Sequence, residues 1–336
     1  MAKNKNWKRA YIGIDIGGTK SLYALLDENF EVIAEEKLRT HPEKGGVRAF
    51  GAALARAVGV LMKEAERRKL RVTTVGVGCA GDIDLKRGVI RHSPNLKFLD
   101  KYRLHDKLEK LTGARVFVGH DVQSGLWGEY RLGAARKGRH ILGVWLGTGV
   151  GGAMILDGRL HVGATGHAGD LGNYLLHAVD VSQDADRKEV LDNVASRTAI
   201  AADAAALAAK HHAPTLKKKA GTDVRDIKAK DLAASVREGD KPVEKLVRSR
   251  ASVVGAALSN LVDFLNPDMI VLGGGLVEAL PELMRREIKQ AIEAHASPKA
   301  AKAVKVVVAQ FVDHAGTTGA AKLAVDMFSR NPPIKL

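Results

Sequence analysis

An aspartate stands inside an apolar run and is followed at once by two glycines, a threonine and a lysine: residues 10–27 read AYIGIDIGGTKSLYALLD. Gly17, Gly18, Thr19 and Lys20 make a turn whose backbone amides, left uncovered by glycine, suit phosphate oxygens, with the threonine hydroxyl as a further donor. A carboxylate beside a polyphosphate is repelled unless a divalent cation lies between them. Magnesium is usually held by one or two carboxylates together with water and phosphate oxygens, so Asp15 is a candidate ligand for it, through water. A second copy of this arrangement begins about 130 residues later in HILGVWLGTGVGGAMILDGRLHVG, residues 140–163, where Gly147, Thr148 and Gly149 occupy the turn. Asp121 follows the strand-like RVFVG at the head of a helix, where it serves either as a helix cap or as a general base; residue type and spacing leave both open.

Two better-known phosphate motifs are disfavoured, chiefly by the residues on the C-terminal side of each glycine turn. GIDIGGTK, residues 13–20, places Thr19 where a P-loop requires lysine. GTGVGG, residues 147–152, satisfies the dinucleotide glycine spacing. Both motifs need a helix next, with its amide dipoles on the phosphate, whereas SLYALLD and AMILDGRL have the composition of strands. The pattern is that of two hairpin turns in an internally duplicated chain.

The elements that must hold these turns alternate. Residues 10–38 read as three short strands. Apolar residues from Val47 to Leu70 recur at helical spacing, and RVTTVGVGCAG comes next as a buried strand. A helix near Leu104 to Thr112, the strand RVFVG and a helix from about Gln123 to Leu132 lead to the second hairpin, with Asp157-Gly158 as its turn signal. Residues 210–250, lysine-rich around KKK, are expected to form an exposed helical excursion with no site of its own. The last third carries a long helix, the strand MIVL, three glycines at 273–275, a strand KVVVAQF and a closing helix opened by DHAGTTGAAKLA.

Composition sets outer limits. The chain of 336 residues is long enough for two domains, and 53 Lys plus Arg against 38 Asp plus Glu give a net charge of +15, which favours anionic partners or a basic solvated surface. Cys79 is the only cysteine, excluding an internal disulfide and any cysteine-rich zinc cage, in keeping with a reducing cytoplasm. The basic N-terminus, residues 1–9, is expected to be a disordered arm, and no stretch approaches the ~20 apolar residues of a membrane span. Nucleic-acid binding rests on charge alone, since aromatics make up only 4% and supply no stacking platform.

Taken together, GIDIGGTK, GVGCAGDID with PNL, HDVQSGLWGE, LGTGVGGAMILDGRL, GHAGDLGN, LDNVAS, IVLGGGL and AGTTGAAKLA resemble the sugar kinases of the ROK group, within the actin, Hsp70 and hexokinase superfamily. The resemblance implies an α/β fold of two actin-like (ribonuclease H-like) domains with mixed sheets and a nucleotide cleft between them. The first would span 10–120, completed by the closing helix 316–330, and the second 121–315. It also implies ATP with magnesium as donor, a homodimer, and Asp121 as catalytic base. Gly273, Gly274 and Gly275 would let the backbone approach the adenosine. Gly81, Asn95, His120, Asp121, Asp170, Asn173 and Asp192 would meet the sugar. No winged-helix segment precedes YIGIDIGG, so the repressor branch is not expected.

The chain departs from that family on the acceptor side. The usual zinc motif of three cysteines and a histidine is lost as a unit: HAVDVSQDADRKEVLDNVAS holds no cysteine, and Asn173 stands in place of the histidine. Asp170 and Asp192 replace glutamates, and His120 replaces an asparagine. Carboxylates that accept paired hydrogen bonds from vicinal hydroxyls survive with a shorter reach, so a different sugar or polyhydroxy acceptor is expected. Protonated His120 beside Asp121 would favour an anionic acceptor, while a bond at the helix terminus is the plainer role for it; His167 lies on a loop within reach of the pocket. An ATP-dependent hexose kinase leads these readings, against a polyphosphate-dependent sugar kinase and a catalytically silent sensor of sugar or nucleotide.

Overall fold

In the computed structural model the residues described are 7–40, 45–93, 96–176, 189–311 and 314–334. They fall into two compact units, the first drawn from Met1–Arg136, Arg159–Ala168 and Asp313–Leu336 and the second from Lys137–Gly158 and Gly169–Val312. The helix carrying Asp121 thus belongs to the first unit, and the division falls after Arg136 where the sequence places it at 120.

The first unit is built on a sheet of β1 (Lys8–Ile16), β2 (Lys20–Leu26), β3 (Val32–Arg39), β4 (Leu70–Cys79) and β8 (Arg115–His120), in the order β3-β2-β1-β4-β8. Strand β1 begins at Lys8, so the expected arm of residues 1–9 loses its last two residues to the sheet. Strands β1, β4 and β8 are parallel, β2 is antiparallel to its neighbours β1 and β3, and the sheet is therefore mixed. Between β4 and β8 lies a small antiparallel sheet of β5 (Asp82–Asp84), β6 (Val89–His92) and β7 (Tyr102–Arg103).

Helices cover both faces of the main sheet. Helix Gly46–Arg67 buries Phe50, Leu54, Val58 and Leu61, which recur every three or four residues, in a core with Ile12, Ile14 and Ile16 of β1. Helix Ala315–Met327 closes the other face through glycines: Cβ atoms added at Gly13 and Gly76 would stand 2.0 Å from the Thr317 carbonyl oxygen and 1.9 Å from that of Ala320. It also lies against helix Asp121–Arg131, where a Cβ at Gly319 would meet the Ser124 carbonyl oxygen at 2.2 Å. Asp326 locks this contact, accepting from Trp127 Nε1 at 2.9 Å and Lys322 Nζ at 2.7 Å, with Arg131 at 3.1 Å.

The second unit repeats the plan. Strands β9 (Ile141–Leu146) and β10 (Val150–Leu156) are antiparallel across a glycine turn, and β12 (Met269–Gly273) runs parallel to β9 on its other side and to β13 (Lys305–Val308) beyond. This β10-β9-β12-β13 order matches β2-β1-β4-β8, so the duplication visible in the turns extends to strand direction. Asp157 and Gly158 both take positive φ, 52° and 71°, as the tight turn before β11 (Arg159–His161) requires. The lysine-rich stretch 210–250 is helical, but the reading of it as an exposed excursion is corrected. Leu216, Ile227, Leu232, Val243 and Val247 are fully buried in the unit's core, because charged residues occupy only the outer face of each helix. Among the described residues no helix is long and apolar enough to cross a membrane.

Candidate active site

In the first unit, strand register brings the chemistry to one edge. Asp15 pairs with Gly78 and Ile16 with Cys79, while Gly78 pairs with Gly119 and Cys79 with His120. Asp15, Cys79 and the His120-Asp121 pair therefore sit together at the carboxyl ends of three successive parallel strands, where α/β sheets bind their ligands. A Cβ at Gly78 would stand 3.1 Å from the Asp121 Cα, and one at Gly316, in the first turn of the closing helix, 2.5 Å from the Asp15 Cγ.

Packing sets the electrostatics. Burial first, and the nearby charge of Asp121 second, push the Asp15 carboxyl up to about 7, with Lys20 acting in the opposite sense. Burial and the same two carboxylates hold the Cys79 thiol well above its usual range, which makes it an inert core residue. Asp121 is the first residue of its helix, with His120 in the cap position, so it is not the cap residue itself, although its side chain meets an amide of the first turn. Its Oδ1 accepts the Val122 N–H at 2.8 Å. His120 makes no side-chain capping bond; its buried Nδ1 lies 3.1 Å from Asp121 Oδ1 but outside hydrogen-bond geometry.

The turn at 17–20 is braced by groups the sequence reading missed. Gly17 N–H donates to the Lys20 carbonyl at 3.1 Å, Thr40 Oγ1 donates to the Gly17 carbonyl at 2.7 Å, and Thr40 N–H donates to the Thr19 carbonyl at 3.0 Å. With its carbonyls turned into the protein, the turn leaves Thr19 and Lys20 exposed. Gly81 has φ 123°, and a Cβ there would lie 2.6 Å from the His92 carbonyl oxygen, so β6 alone accounts for the glycine. His167 Nε2 lies 3.6 Å from Asp82 Oδ1. Asn95 lies outside the described residues, as does the stretch 177–188 where the resemblance puts the missing cysteines.

In the second unit, Gly147–Gly149 follow the carboxyl end of β9, and its parallel neighbour β12 ends at Gly273 with Gly274 and Gly275 directly after. Asp192 Oδ1 accepts the Val150 N–H at 2.5 Å, and a Cβ at Gly149 would meet that oxygen at 2.8 Å. One expected sugar contact is thus also a brace of the glycine turn. Asp170 Oδ2 accepts from Asn173 Nδ2 at 2.7 Å, leaving each of these carboxylates a second oxygen. Thr198 Oγ1 donates to the Thr148 carbonyl at 2.8 Å, and Arg197 N–H to that of Gly147 at 2.9 Å; neither residue carried a signal in the sequence.

The glycines of this unit divide by cause. A Cβ at Gly273 would collide with the Trp145 ring at 2.7 Å, and Gly274 has φ 88° with the Leu146 backbone as close as 2.7 Å. Around Gly147 the nearest neighbour of a Cβ is 3.9 Å away, and around Gly275 it is 4.0 Å. The protein itself has room for a side chain at both, which fits positions kept bare for a ligand.

Asp15 yields a pH signature. The folded chain holds this proton more tightly than the unfolded chain does, so the stability it contributes is complete below about 3.8 and is lost as pH rises through about 7. Asp15→Asn, unable to ionise, is expected to melt at higher temperature than the wild type at pH 8 in the presence of chelator and at a similar temperature at pH 4. Equal melting differences at both pH values would contradict a raised carboxyl.

The ROK family model matches residues 11–327. A glucokinase of Halalkalibacterium halodurans is 30% identical over 315 residues, covering 93% of each chain, and one of Thermotoga maritima is 28% identical over 317 residues, covering 94% of this chain and 97% of that protein. Among solved structures, a ROK family glucokinase from Streptomyces griseus in complex with glucose and AMPPNP superposes with a TM-score of 0.78 at 28% identity, covering 94% of this chain and 99% of that one.

Proposed function

The chain belongs to the ROK family, and on that premise we propose that it is a sugar kinase that transfers the γ-phosphate of ATP to a hydroxyl of a hexose or hexose derivative, with Asp121 as general base. The observation that carries this reading is the placement of Asp15 and Asp121 at strand ends on one edge of a sheet, close enough that the charge of one raises the pKa of the other, beside an open glycine turn.

Phosphoryl transfer asks little covalent chemistry of a protein; positioning and charge compensation do most of the work. The Val122 N–H holds Asp121 Oδ1, which leaves Oδ2 to take the proton of the attacking hydroxyl. Asp170, Asn173, Asp192 and His120 are the groups we assign to the acceptor. The turns at 17–20 and 147–149 take the donor's phosphates, and Gly273–Gly275 its adenosine. The residues present fit magnesium, because Asp15 is a carboxylate whose ionisation is suppressed by burial and by like charge, a situation that a hard cation reverses. Magnesium, when bound, neutralises charge on the transferring phosphate.

The net charge of +15 favours a second reading of the donor, inorganic polyphosphate. Purified protein with magnesium-ATP is expected to release ADP in the presence of at least one sugar from a panel of hexoses and amino sugars; replacing ATP by polyphosphate in the same assay separates the two donors. If nucleotide binds and no sugar in the panel is phosphorylated, the chain is a silent sensor and the kinase reading fails.

A further inference from the structure

Arg197 has no part in the site assigned so far, yet it joins two segments of the second unit that the site invokes. Its backbone N–H donates to the Gly147 carbonyl at 2.9 Å, which pins its Cα to the phosphate turn, and its neighbour Thr198 holds the next carbonyl of that turn. Its side chain passes Thr198, whose hydroxyl bonds the turn, and reaches a further segment. Nη1 donates to the Ile227 carbonyl at 3.0 Å, two residues before Ala229, whose Cβ is the nearest atom to the bare position at Gly275. Its backbone is therefore fixed at the phosphate turn, while its guanidinium reaches the segment that leads to the glycines assigned to adenosine.

Among the described residues its charge is uncompensated. Burial holds the Arg197 pKa below its ordinary value, no described carboxylate contributes, and its other side-chain contact is Nη2 to Thr198 Oγ1 at 3.4 Å. Arg91, Arg103, Arg225, Arg248 and Arg250 each face an acidic partner, whereas Arg136, Arg159 and Arg237, like Arg197, bond a carbonyl oxygen. A half-buried guanidinium with donors to spare and no described counter-ion is available to an anionic ligand.

We propose that Arg197 is a nucleotide-binding residue that pairs with the phosphates of the donor, on the evidence of its tie to the Gly147 turn, its reach toward the Gly275 side and its missing counter-ion. The inference rests on the kinase reading and adds a residue to its donor site. The Ile227 carbonyl orients the planar group, and the remaining N–H donors form charge-assisted bonds with phosphate oxygens.

The test compares wild type with Arg197→Gln, which retains an N–H donor for Ile227 but not the charge, and with Arg197→Lys, which retains the charge. ADP and adenosine are titrated into each with magnesium present, and melting temperatures check that the fold is kept. Arg197→Gln is expected to bind ADP about 10-fold more weakly, the size of one charge-assisted bond, with adenosine affinity unchanged and Arg197→Lys in between. Unchanged ADP affinity in a folded Arg197→Gln would overturn the assignment, and so would an equal loss for ADP and adenosine, which would place the side chain on the base. Either result leaves the kinase reading intact if the wild type still phosphorylates a sugar. A wild type that binds neither ADP nor adenosine removes both.

Discussion

Replacing Asp121 by asparagine is expected to lower kcat about 1,000-fold while leaving nucleotide affinity within about a factor of two. The amide is nearly isosteric, and its oxygen can still accept the Val122 N–H that orients the carboxylate, so the helix start is preserved. What disappears is the carboxylate assigned to take a proton from an acceptor hydroxyl; the neighbouring Asp15 is a poor substitute, because it is buried and is assigned to magnesium. The loss should fall on kcat, because the proton moves only in the transition state. Single-turnover phosphorylation, with nucleotide titration as control, measures both quantities. A variant that retains more than about a tenth of wild-type turnover would show that Asp121 does no acid–base work. The same substitution removes a negative charge from beside Asp15, so the Asp15 pKa should fall.

The second large effect is on stability. Gly76→Ala would put a methyl 1.9 Å from the Ala320 carbonyl oxygen and 2.3 Å from its carbon, both backbone atoms of the closing helix. Neither strand β4 nor that helix can yield by a side-chain rotation. The cost is expected to reach about 3 kcal/mol or more, at the upper end of overpacking penalties. Gly59→Ala provides the contrast: it lies inside helix Gly46–Arg67 with nothing within 4 Å of the new methyl, and it should gain about 0.5–1 kcal/mol from helix propensity alone. Urea denaturation of the pair measures the difference. Similar midpoints for the two variants would mean that the closing helix does not sit against β1 and β4 through its glycines.

That helix also shows where local pattern stops. AGTTGAAKLA announces a helix start, but its small residues carry no periodic apolar stripe, so nothing in the string says which face is buried or against what. The partners, Gly13, Gly76 and Ser124, lie roughly two to three hundred residues earlier. Asp326 is similar: a carboxylate on a late helix that holds Trp127 and Arg131 of the helix bearing Asp121. The stretch 210–250 misleads in the opposite direction, because its many charged residues mask apolar ones such as Leu216, Ile227, Leu232, Val243 and Val247 that the fold buries.

Local chemistry was sufficient for the strand–turn–strand repeats, for Asp15 beside the first of them and for an aspartate at the head of a helix, because extended segments, glycine turns and helix starts are short-range properties of the chain. Tertiary structure alone decided that β1, β4 and β8 lie parallel in successive positions, that Thr40 and Thr198 brace the two turns, and that Arg197 faces Ile227 and no described acid. Each of these joins residues 20 or more positions apart, and burial and pairing at such separations arise from how whole elements pack, which no window of sequence records.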